Sequence, residues 1–353
     1  MSVTKQPQRW TLRNYKRWLR VSLYTTFLIG GQCTANILGR LYFEKGGESK
    51  WVAALLQSLG FPILIPLVLY FSKRTKLTDN DSSKTKPKPF LAFSCYLFMG
   101  LLSAAMDLMY AYGLAYLPLS TFALICATQL AFNAIFTFFL NSQKFTALIL
   151  NSVVILTVSV SLLAISEEPD HKKNLPKEKR ILGIFLTLAA SATFSIHHCL
   201  EQLCFEKVIK TEIVPAVLKL NLYQMIVACS GSLVGFLVSG EWKTLNREMN
   251  EFENGKVAYI MTLVWTAVTW QIAFIGVSGL TFEVSPLFSV AIGSMELTIA
   301  PVLAVIVLHD KIHGVKVLAF LLAIWGLLSY MYQHYLDDSK AKELEVSNGE
   351  VEF

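Results

Sequence analysis

Charged side chains are scarce in this sequence, where Asp, Glu, Lys and Arg make up only 16% of 353 residues. A soluble globular chain carries about 25% of these residues and is about 45–50% apolar. The apolar share reaches 54% here. Together, the shortage of charge and the excess of apolar residues exclude an ordinary water-soluble domain.

The sequence also lacks the short motifs that hold nucleotides or carry common catalytic chemistry. We find no HExxH zinc motif, no GxGxxG dinucleotide loop, no P-loop and no GxSxG nucleophile elbow. The six cysteines and the histidines are not spaced as metal ligands, so we interpret the cysteines as small buried apolar residues. We therefore expect no enzyme, metal, cofactor or ATP-driven pump. The net charge of +6 is attributed to membrane topology and not to nucleic-acid binding.

The apolar residues are collected in runs that are long enough to cross a bilayer. A helix needs about 20 residues to span the hydrocarbon. Five runs without Asp, Glu, Lys or Arg have about this length, at 21–39, 51–72, 145–166, 181–200 and 220–240. Five further spans are predicted near 90–114, 118–140, 257–282, 285–308 and 315–336, the first two separated at Pro118. The sequence predicts an all-α membrane protein with ten transmembrane helices, because backbone groups in lipid must be satisfied internally.

The distribution of Lys and Arg predicts the orientation of these spans. Twelve basic residues lie in the N-terminal segment and in the loop after span two, against three in the first loop on the opposite side. Because basic loops stay in the cytosol, both termini are predicted to be cytosolic. Further basic residues in the connecting loop at 167–180 lie on the outer side in this arrangement and count against it.

Three short segments recur at a nearly constant distance along the chain. The segment at 41–45 recurs at 203–207, an offset of 162, and two later pairs, which begin at 117 and 285 and at 140 and 308, are each offset by 168. Five spans per half is an odd number, so the halves must enter the membrane from opposite sides. The predicted arrangement is thus two inverted five-helix repeats, which is typical of secondary transporters. Its parts are a basic N-terminal segment (1–20), the first repeat (21–166), the connecting loop (167–180), the second repeat (181–336) and a cytosolic tail (337–353).

Several stretches resemble the plant purine permease family, within the drug/metabolite transporter superfamily. They lie at 39–51, 60–62, 110–133, 141–144, 309–311, 325–326 and 329–333. The resemblance implies proton-driven uptake of purine bases and their derivatives, cytokinins especially, across the plasma membrane. Relatives also move vitamin B6 compounds and alkaloids, so another nitrogen heterocycle is an alternative cargo. A receptor or scaffold is a weaker alternative because the loops are short. The oligomeric state is left open.

Ionisable groups inside the predicted spans are candidates for a site, because they are costly in lipid. Glu296 lies centrally in span nine, and the offset of 168 makes Thr128 its repeat partner. Equivalent positions of inverted repeats meet near the axis where a substrate would bind. Glu296 could accept an N–H from a purine or carry the coupled proton. The alternative is a protonated structural carboxyl. Asp107, on the same face of span three as Tyr110, is a second proton candidate or a structural acid.

Two pairs of carboxamides share this predicted site. Gln129 and Asn133 are four residues apart in span four, and Gln32 and Asn36 repeat this spacing in span one. Residues four apart lie on one helix face. Each carboxamide offers donors and an acceptor that complement the edge of an adenine ring. The alternative for both pairs is hydrogen bonding or packing between helices.

Aromatic and amide side chains inside span eight complete the prediction. An indole at Trp265 or Trp270 could stack on a purine face, next to the amide of Gln271. The alternative for the tryptophans is contact with lipid. The predicted substrate-binding residues are Glu296, Gln129, Asn133, Thr128, Trp270, Gln271, Trp265, Tyr110, Gln32 and Asn36, with Glu296 and Asp107 as proton carriers.

Overall fold

The computed structural model is helical along the apolar runs. It describes residues 7–78, 89–140, 146–165, 176–204, 207, 214–283 and 314–350, together with 292–293, 295–296, 299–300, 302–303 and 305–307. No strand occurs among these residues. Most of the connecting loop at 167–180 lies outside them, as do all or parts of the recurring segments that begin at 140, 203, 285 and 308.

Twelve α-helices can be delimited in the described part of the chain. They are α1 (Pro7–Glu44), α2 (Lys50–Leu59), α3 (Leu64–Thr78), α4 (Pro89–Tyr116), α5 (Leu119–Cys126), α6 (Thr128–Leu140), α7 (Ala147–Ile165), α8 (Lys177–Cys204), α9 (Val214–Ser239), α10 (Leu245–Glu251), α11 (Gly255–Glu283) and α12 (Gly314–Glu350). Two short 3-10 helices, Phe61–Ile63 and Glu241–Lys243, precede α3 and α10. Helical residues also recur through the described positions of 292–307.

Six helical stretches among the described residues are long and apolar enough to cross a membrane. They are Lys50–Tyr70, Phe90–Tyr116, Leu119–Leu140, Lys177–Glu201, Leu218–Ser239 and Gly255–Leu280. Two shorter apolar helices lie at Ala147–Ser159 and Val317–Gln333. The prediction of a helical, multi-pass membrane protein is confirmed. The count of ten spans and their inverted repetition stay predictions.

The predicted helix boundaries differ from the structure in ways that follow from local chemistry. The break at Pro118 is confirmed, because α4 ends at Tyr116 and α5 begins at Leu119. The span predicted at 118–140 is nevertheless two helices, which meet at Ala127. Span two is likewise interrupted around Pro62 by a 3-10 turn. A proline has no backbone N–H to donate within a helix, which explains the interruption at Pro62. It does not explain the break at Ala127.

The two ends of the chain are more helical than the predicted segments imply. The basic N-terminal segment is continuous with span one, because α1 runs unbroken from Pro7 to Glu44. At the other end α12 continues through the predicted tail as far as Glu350. Neither stretch contains a proline after Pro7, so nothing in the backbone chemistry ends these helices at the membrane surface.

The chain divides into two compact units, and each unit draws on both predicted repeats. The first unit comprises Met1–Ala104 and Ile209–Glu296, and the second comprises Ala105–Val208 and Leu297–Phe353. In the first unit α1 packs on α11, and α2 and α3 pack on α9. In the second unit α7 packs on α12, and α5 and α6 pack on α8.

Glycines bring the backbones of α1 and α11 into direct contact within the first unit. A Cβ atom at Gly31 would lie 2.7 Å from the backbone nitrogen of Ala273, and one at Gly276 would lie 2.5 Å from that of Leu28. Both distances are shorter than van der Waals contact, so only a hydrogen fits at these positions. Small residues that allow close approach are the usual means of packing helices in lipid. This contact fixes the position of α1 on α11.

An extramembrane cluster ties the segment after α1 to the segment between α9 and α11. The Lys45 ammonium lies 2.7 Å from the Glu253 carboxylate, and the Glu253 backbone N–H donates to the Lys45 carbonyl at 2.9 Å. The buried Glu248 carboxylate accepts hydrogen bonds from the Tyr42 hydroxyl and, at 3.2 Å, from the Tyr259 hydroxyl. The two segments therefore lie on the same side of the membrane, as six intervening predicted crossings require.

The tight contact between α1 and α11 predicts a difference between two adjacent glycines. Replacing Gly31 with alanine forces the helix backbones apart, and overpacking of this kind costs about 1–3 kcal/mol. Replacing Gly30 is the matched control, because a Cβ there would meet nothing within 4 Å and alanine favours a helix by roughly 0.5–1 kcal/mol. We expect Gly31→Ala to lower the melting temperature of the detergent-solubilised protein and Gly30→Ala to leave or raise it. Equal effects would contradict the packing.

The buried Glu248 carboxyl predicts a pH dependence of stability. Burial raises the pKa of Glu248 above its usual value of 4.5, and the hydrogen bonds from the two tyrosines only partly offset this. The folded protein therefore binds this proton more tightly than the unfolded chain does. Its contribution to the free energy of unfolding is fully present below the unfolded pKa and is lost as the pH rises through the folded pKa.

The variant Glu248→Gln removes this titration and keeps an acceptor for the tyrosines. We expect its melting temperature, relative to the unsubstituted protein, to increase as the pH rises above 4.5 and then to level off. Glu253→Gln is the control, because that side chain is 62% exposed and surface ion pairs contribute little. If the difference in melting temperature between Glu248→Gln and the unsubstituted protein does not change with pH, protonation of Glu248 is not coupled to folding.

Candidate intramembrane site

The carboxyl group of Glu296 is buried in the first unit and is held by a neighbouring helix. Its side chain is 3% exposed, and its Oε1 atom accepts a hydrogen bond of 2.9 Å from the Nδ2 atom of Asn36 in α1. The two residues are 260 positions apart in sequence, so this contact depends on the tertiary fold. A carboxyl at membrane depth needs such a partner because the lipid offers none.

Gln32 lies one turn before Asn36 and adds an acceptor to the same side of α1. Its Oε1 atom is buried and has no hydrogen-bond partner in the described part of the chain. A buried polar group without a partner costs about 1–3 kcal/mol, which a ligand that carries an N–H group would relieve. Glu296, Asn36 and Gln32 are called the Glu296 cluster below. Gln32 and Asn36 offer a carbonyl and an amide on adjacent turns of α1, and the amide of Asn36 binds the Glu296 carboxyl.

The predicted carboxamides of span four lie in the second unit, and each donates to a tyrosine. Gln129 Nε2 donates to the Tyr110 hydroxyl at 2.6 Å, and Asn133 Nδ2 donates to the Tyr330 hydroxyl at 2.6 Å. The Ser195 hydroxyl of α8 donates to the backbone carbonyl of Gln129 at 2.8 Å. Gln129 and Asn133 therefore form hydrogen bonds between helices, as the alternative interpretation of these carboxamides predicts. This does not test their role in substrate binding.

Sequence reasoning missed Tyr330, although the segment at 329–333 belongs to the family resemblance. Its hydroxyl is the partner of Asn133, which lies 197 positions earlier. No helical spacing connects residues so far apart. A tyrosine inside a predicted span was the available signal, because a buried phenol usually finds a hydrogen-bond partner.

Thr128 and Asp107, the other predicted polar groups of the first repeat, are also buried in the second unit. Thr128 donates its hydroxyl to the carbonyl of Ile125 at 2.7 Å, across the junction of α5 and α6. Asp107 lies in α4, one turn before Tyr110, and is 6% exposed. Glu296 and Thr128, the predicted equivalent positions of the two repeats, belong to different units. Their equivalence stays a prediction.

Gln271 is fully buried inside α11 and retains an unused acceptor. Its Nε2 atom donates to the sulfur of Met225 at 3.6 Å, and its Oε1 atom has no partner among the described residues. A Cβ atom at Gly60 would lie 2.1 Å from its Cγ atom. Gln271 thus packs where the predicted second span is interrupted, and its role in binding stays a prediction.

The tryptophans of α11 lie in different surroundings. Trp270 is half-buried, whereas Trp265 is 55% exposed and belongs to an apolar stripe. The other exposed members of this stripe are Val257, Ile260, Met261 and Val264. Exposed apolar residues at intervals of three and four form one helix face, which favours lipid contact for Trp265.

Trp265 also lies on a different side of α1 from the Glu296 cluster. It lines a shallow groove with Thr34 and Leu38 of α1. Residues two apart in a helix differ by about 200° in direction, so Thr34 points away from both Gln32 and Asn36. One flat ligand therefore cannot contact the groove and the Glu296 cluster together.

The described residues contain no group of three or more His, Cys, Asp or Glu side chains that could hold a metal ion. Four of the six cysteines are buried and two are partly buried, and all six are free thiols. This agrees with their interpretation as small apolar residues.

Comparison with known proteins decides the family. A family model for purine nucleobase transmembrane transport matches residues 19–340. Probable purine permease 10 of Arabidopsis thaliana is 49% identical over 329 residues, 93% of this chain and 84% of that protein. The chain belongs to the purine permease family. Purine permease 21 of the same plant is also 49% identical, with the same coverage, and probable purine permease 11 is 45% identical over 94% of this chain and 87% of its own length.

Membership of the purine permease family confirms the resemblance found in the sequence. One solved crystal structure superposes with a TM-score of 0.51 at 14% identity and covers 90% of this chain and 96% of its own. At that identity the likeness concerns the fold alone. The apolar helices and the family together identify an integral, multi-pass membrane protein of a transporter family.

The hydrogen bond between Asn36 and Glu296 predicts that substitutions at Asn36 and at Thr34 of α1 have very different effects on uptake. Asn36→Leu leaves the buried carboxyl without its partner, and the loss of a buried bond to a charged group costs about 1.5–3 kcal/mol. We expect uptake of a radiolabelled purine base to fall about tenfold or more at equal protein level, since 1.4 kcal/mol corresponds to a factor of about ten.

Thr34→Leu is the matched control for this substitution. Thr34 lies in the same helix and is exposed on the other face, so we expect near-normal uptake. Equal losses in both variants would indicate a general defect of α1 and would contradict a specific role for the bond to Glu296.

Proposed function

We propose that this protein is a secondary active transporter. It moves purine bases and purine derivatives, such as adenine and cytokinins, across the plasma membrane by proton-coupled alternating access. The observation that carries the proposal is the match of residues 19–340 to a purine nucleobase transport family. A buried carboxyl with a carboxamide partner in the same chain supplies suitable chemistry.

The Glu296 cluster complements the polar edge of a purine. An adenine edge places an amino donor beside a ring-nitrogen acceptor. A carboxylate at Glu296 or the unpartnered carbonyl of Gln32 accepts the amino N–H, and the protonated carboxyl donates to the ring nitrogen. Because the protonation state of Glu296 decides which of these bonds forms, one group can sense both the proton and the substrate.

A proton gradient is the proposed energy source, since the sequence lacks a nucleotide-binding motif. Within the described parts of the predicted spans, two buried acids are available as proton carriers, Glu296 in the first unit and Asp107 in the second. Acids inside membrane spans mark proton relays in many transporters. We propose that both take part in coupling.

The packing of the helices supports a twofold duplication, and five predicted spans per half make its repeats inverted. The helix α2 packs on α9, and α7 packs on α12. These pairs begin 164 and 167 residues apart, at Lys50 and Val214 and at Ala147 and Gly314, close to the sequence offsets of 162 and 168. Mutual packing of equivalent helices is expected near the axis of a twofold duplication. With the basic N-terminal segment inside, the proposed topology has cytosolic termini and the extramembrane cluster outside.

Uptake of radiolabelled adenine in a yeast strain without its own purine uptake tests the function. We expect accumulation above the empty-vector level, and we expect a protonophore to abolish it. Uptake no greater than that of the empty vector would refute purine transport. Uptake that is indifferent to the protonophore would refute proton coupling alone.

The role of Glu296 is tested by Glu296→Gln in the same assay. The amide keeps a hydrogen-bonding group but cannot ionise, so we expect proton-driven accumulation to fall close to the empty-vector level, because a proton-transferring side chain contributes about 10²–10⁴-fold in rate. Glu253→Gln, at an exposed loop position, is the control. Competition by a cytokinin, an alkaloid and a vitamin B6 compound then ranks the cargo.

A further inference from the structure

We propose that His198 and Glu201 of α8 form a third proton-binding site, in addition to Glu296 and Asp107, on the cytosolic half of the transporter. The proposal rests on the proposed function and adds a pair of residues that the predicted site does not include. His198 Nδ1 lies 3.5 Å from Glu201 Oε2, one turn further along α8. Both belong to an apolar membrane-spanning stretch, Lys177–Glu201.

The register of the repeats gives His198 a special position. The offset of 162 that relates 41–45 to 203–207 carries Asn36 to His198 and Gln32 to Phe194. In α1 the Asn36 carboxamide donates to the buried carboxyl of Glu296. In α8 the equivalent residues are two rings in contact, with centroids 4.4 Å apart and planes at 69°. The second repeat thus places an ionisable imidazole where the first has an amide that does not titrate.

Phe194 restrains the imidazole, and the imidazole remains accessible. The edge-to-face contact with Phe194 limits rotation of the ring. The His198 side chain is 39% exposed and that of Glu201 is 17% exposed. A group that exchanges protons must reach water at some point in the cycle, and Glu201 is the last residue of the apolar stretch Lys177–Glu201, at the end of the span.

The described titratable groups around the pair lie on α8 itself and on the helices near it. The helix α6, which packs on α8, has no ionisable side chain. Its Asn133 carbonyl faces the Cys199 thiol at 3.9 Å. On α8 itself the titratable groups are His197, Cys199 and Cys204 near the pair and Lys177, Glu178, Lys179 and Arg180 in the first turn, which is about 30 Å from Glu201 at 1.5 Å per residue. Lys207 follows Glu201 by six positions. On nearby helices they are Cys126 of α5, Asp107, Tyr110, Tyr112 and Tyr116 of α4, and Tyr330 of α12.

An imidazole and a carboxyl in contact can take up and release one proton near neutral pH. A neutral imidazole beside a carboxylate can accept one proton. If the imidazole takes it, the product is an ion pair, and if the carboxylate takes it, the product is a neutral pair; both are tolerated in a region of low polarity. In the proposed topology the end of α8 faces the cytosol. The pair then receives the coupling proton during transport and releases it to cytosolic water.

The test compares His198→Gln and Glu201→Gln with His197→Gln as the matched control. His197 is the adjacent residue, is buried, and its ring is nearly perpendicular to that of His198 at 6.0 Å. Each variant is assayed in the yeast strain for net adenine accumulation between about pH 5 and pH 8, the range in which histidine titrates. Exchange of external for internal labelled adenine, which needs no net proton movement, is measured in parallel.

We expect the unsubstituted protein and His197→Gln to accumulate adenine with a pronounced pH dependence. His198→Gln and Glu201→Gln should lose most of their net accumulation and show a flattened pH profile, with adenine exchange retained. Retained exchange also shows that the variants are folded and bind substrate.

Three results would overturn the inference. A normal pH profile and normal accumulation in both variants would remove the pair from coupling. Equal loss of exchange and accumulation would assign it a structural or binding role. A flattened profile in His197→Gln as well would show a general effect of α8. If the unsubstituted protein itself fails to accumulate adenine, the proposed function fails, which is distinguishable from all three.

Discussion

The hydrogen bond from Asn36 to Glu296 is the constraint on which the candidate site depends. A carboxyl group in an apolar span is tolerated only where another helix supplies a polar partner, because lipid supplies none. Here the partner is 260 residues away in sequence, so the acid of the second repeat is stabilised only when α1 is in place. The glycines of α1 and α11 set that position, since Gly31 and Gly276 leave room for backbone contact and for nothing larger. The helix α1 therefore carries both the glycine that sets its packing on α11 and the carboxamide that binds Glu296.

Much of the fold could be predicted from the sequence, because the hydrophobic runs and the proline at position 118 are local signals. The break at Ala127 could not, since neither proline nor glycine marks it. The buried acid was predictable from its cost in lipid. Its partner was not, because Asn36 and Gln32 also fit a packing role, and only the tertiary structure shows which of the two bonds to Glu296. Trp265 illustrates the opposite case, in which an aromatic residue of the predicted site lies on an exposed apolar stripe.

The two tyrosines that accept from the carboxamides of α6 show how binding residues and packing residues overlap. Gln129 and Asn133 share a helix face, as their spacing predicts, yet each already donates to a phenol within the second unit. Their remaining carbonyl and amide groups are oriented by these bonds. In a helix bundle without a hydrophobic driving force between helices, such bonds both align the helices and fix the rotamers of the side chains.

The length of α12 has a practical consequence for imaging. The helix continues from the apolar stretch Val317–Gln333 to Glu350, and 17 further residues at 1.5 Å each add about 25 Å of helix beyond that stretch. A small rigid domain fused in helical register to this rod would be carried clear of the detergent belt. Such a domain would provide an asymmetric feature for particle alignment in electron microscopy. A protein embedded almost wholly in a micelle lacks such a feature.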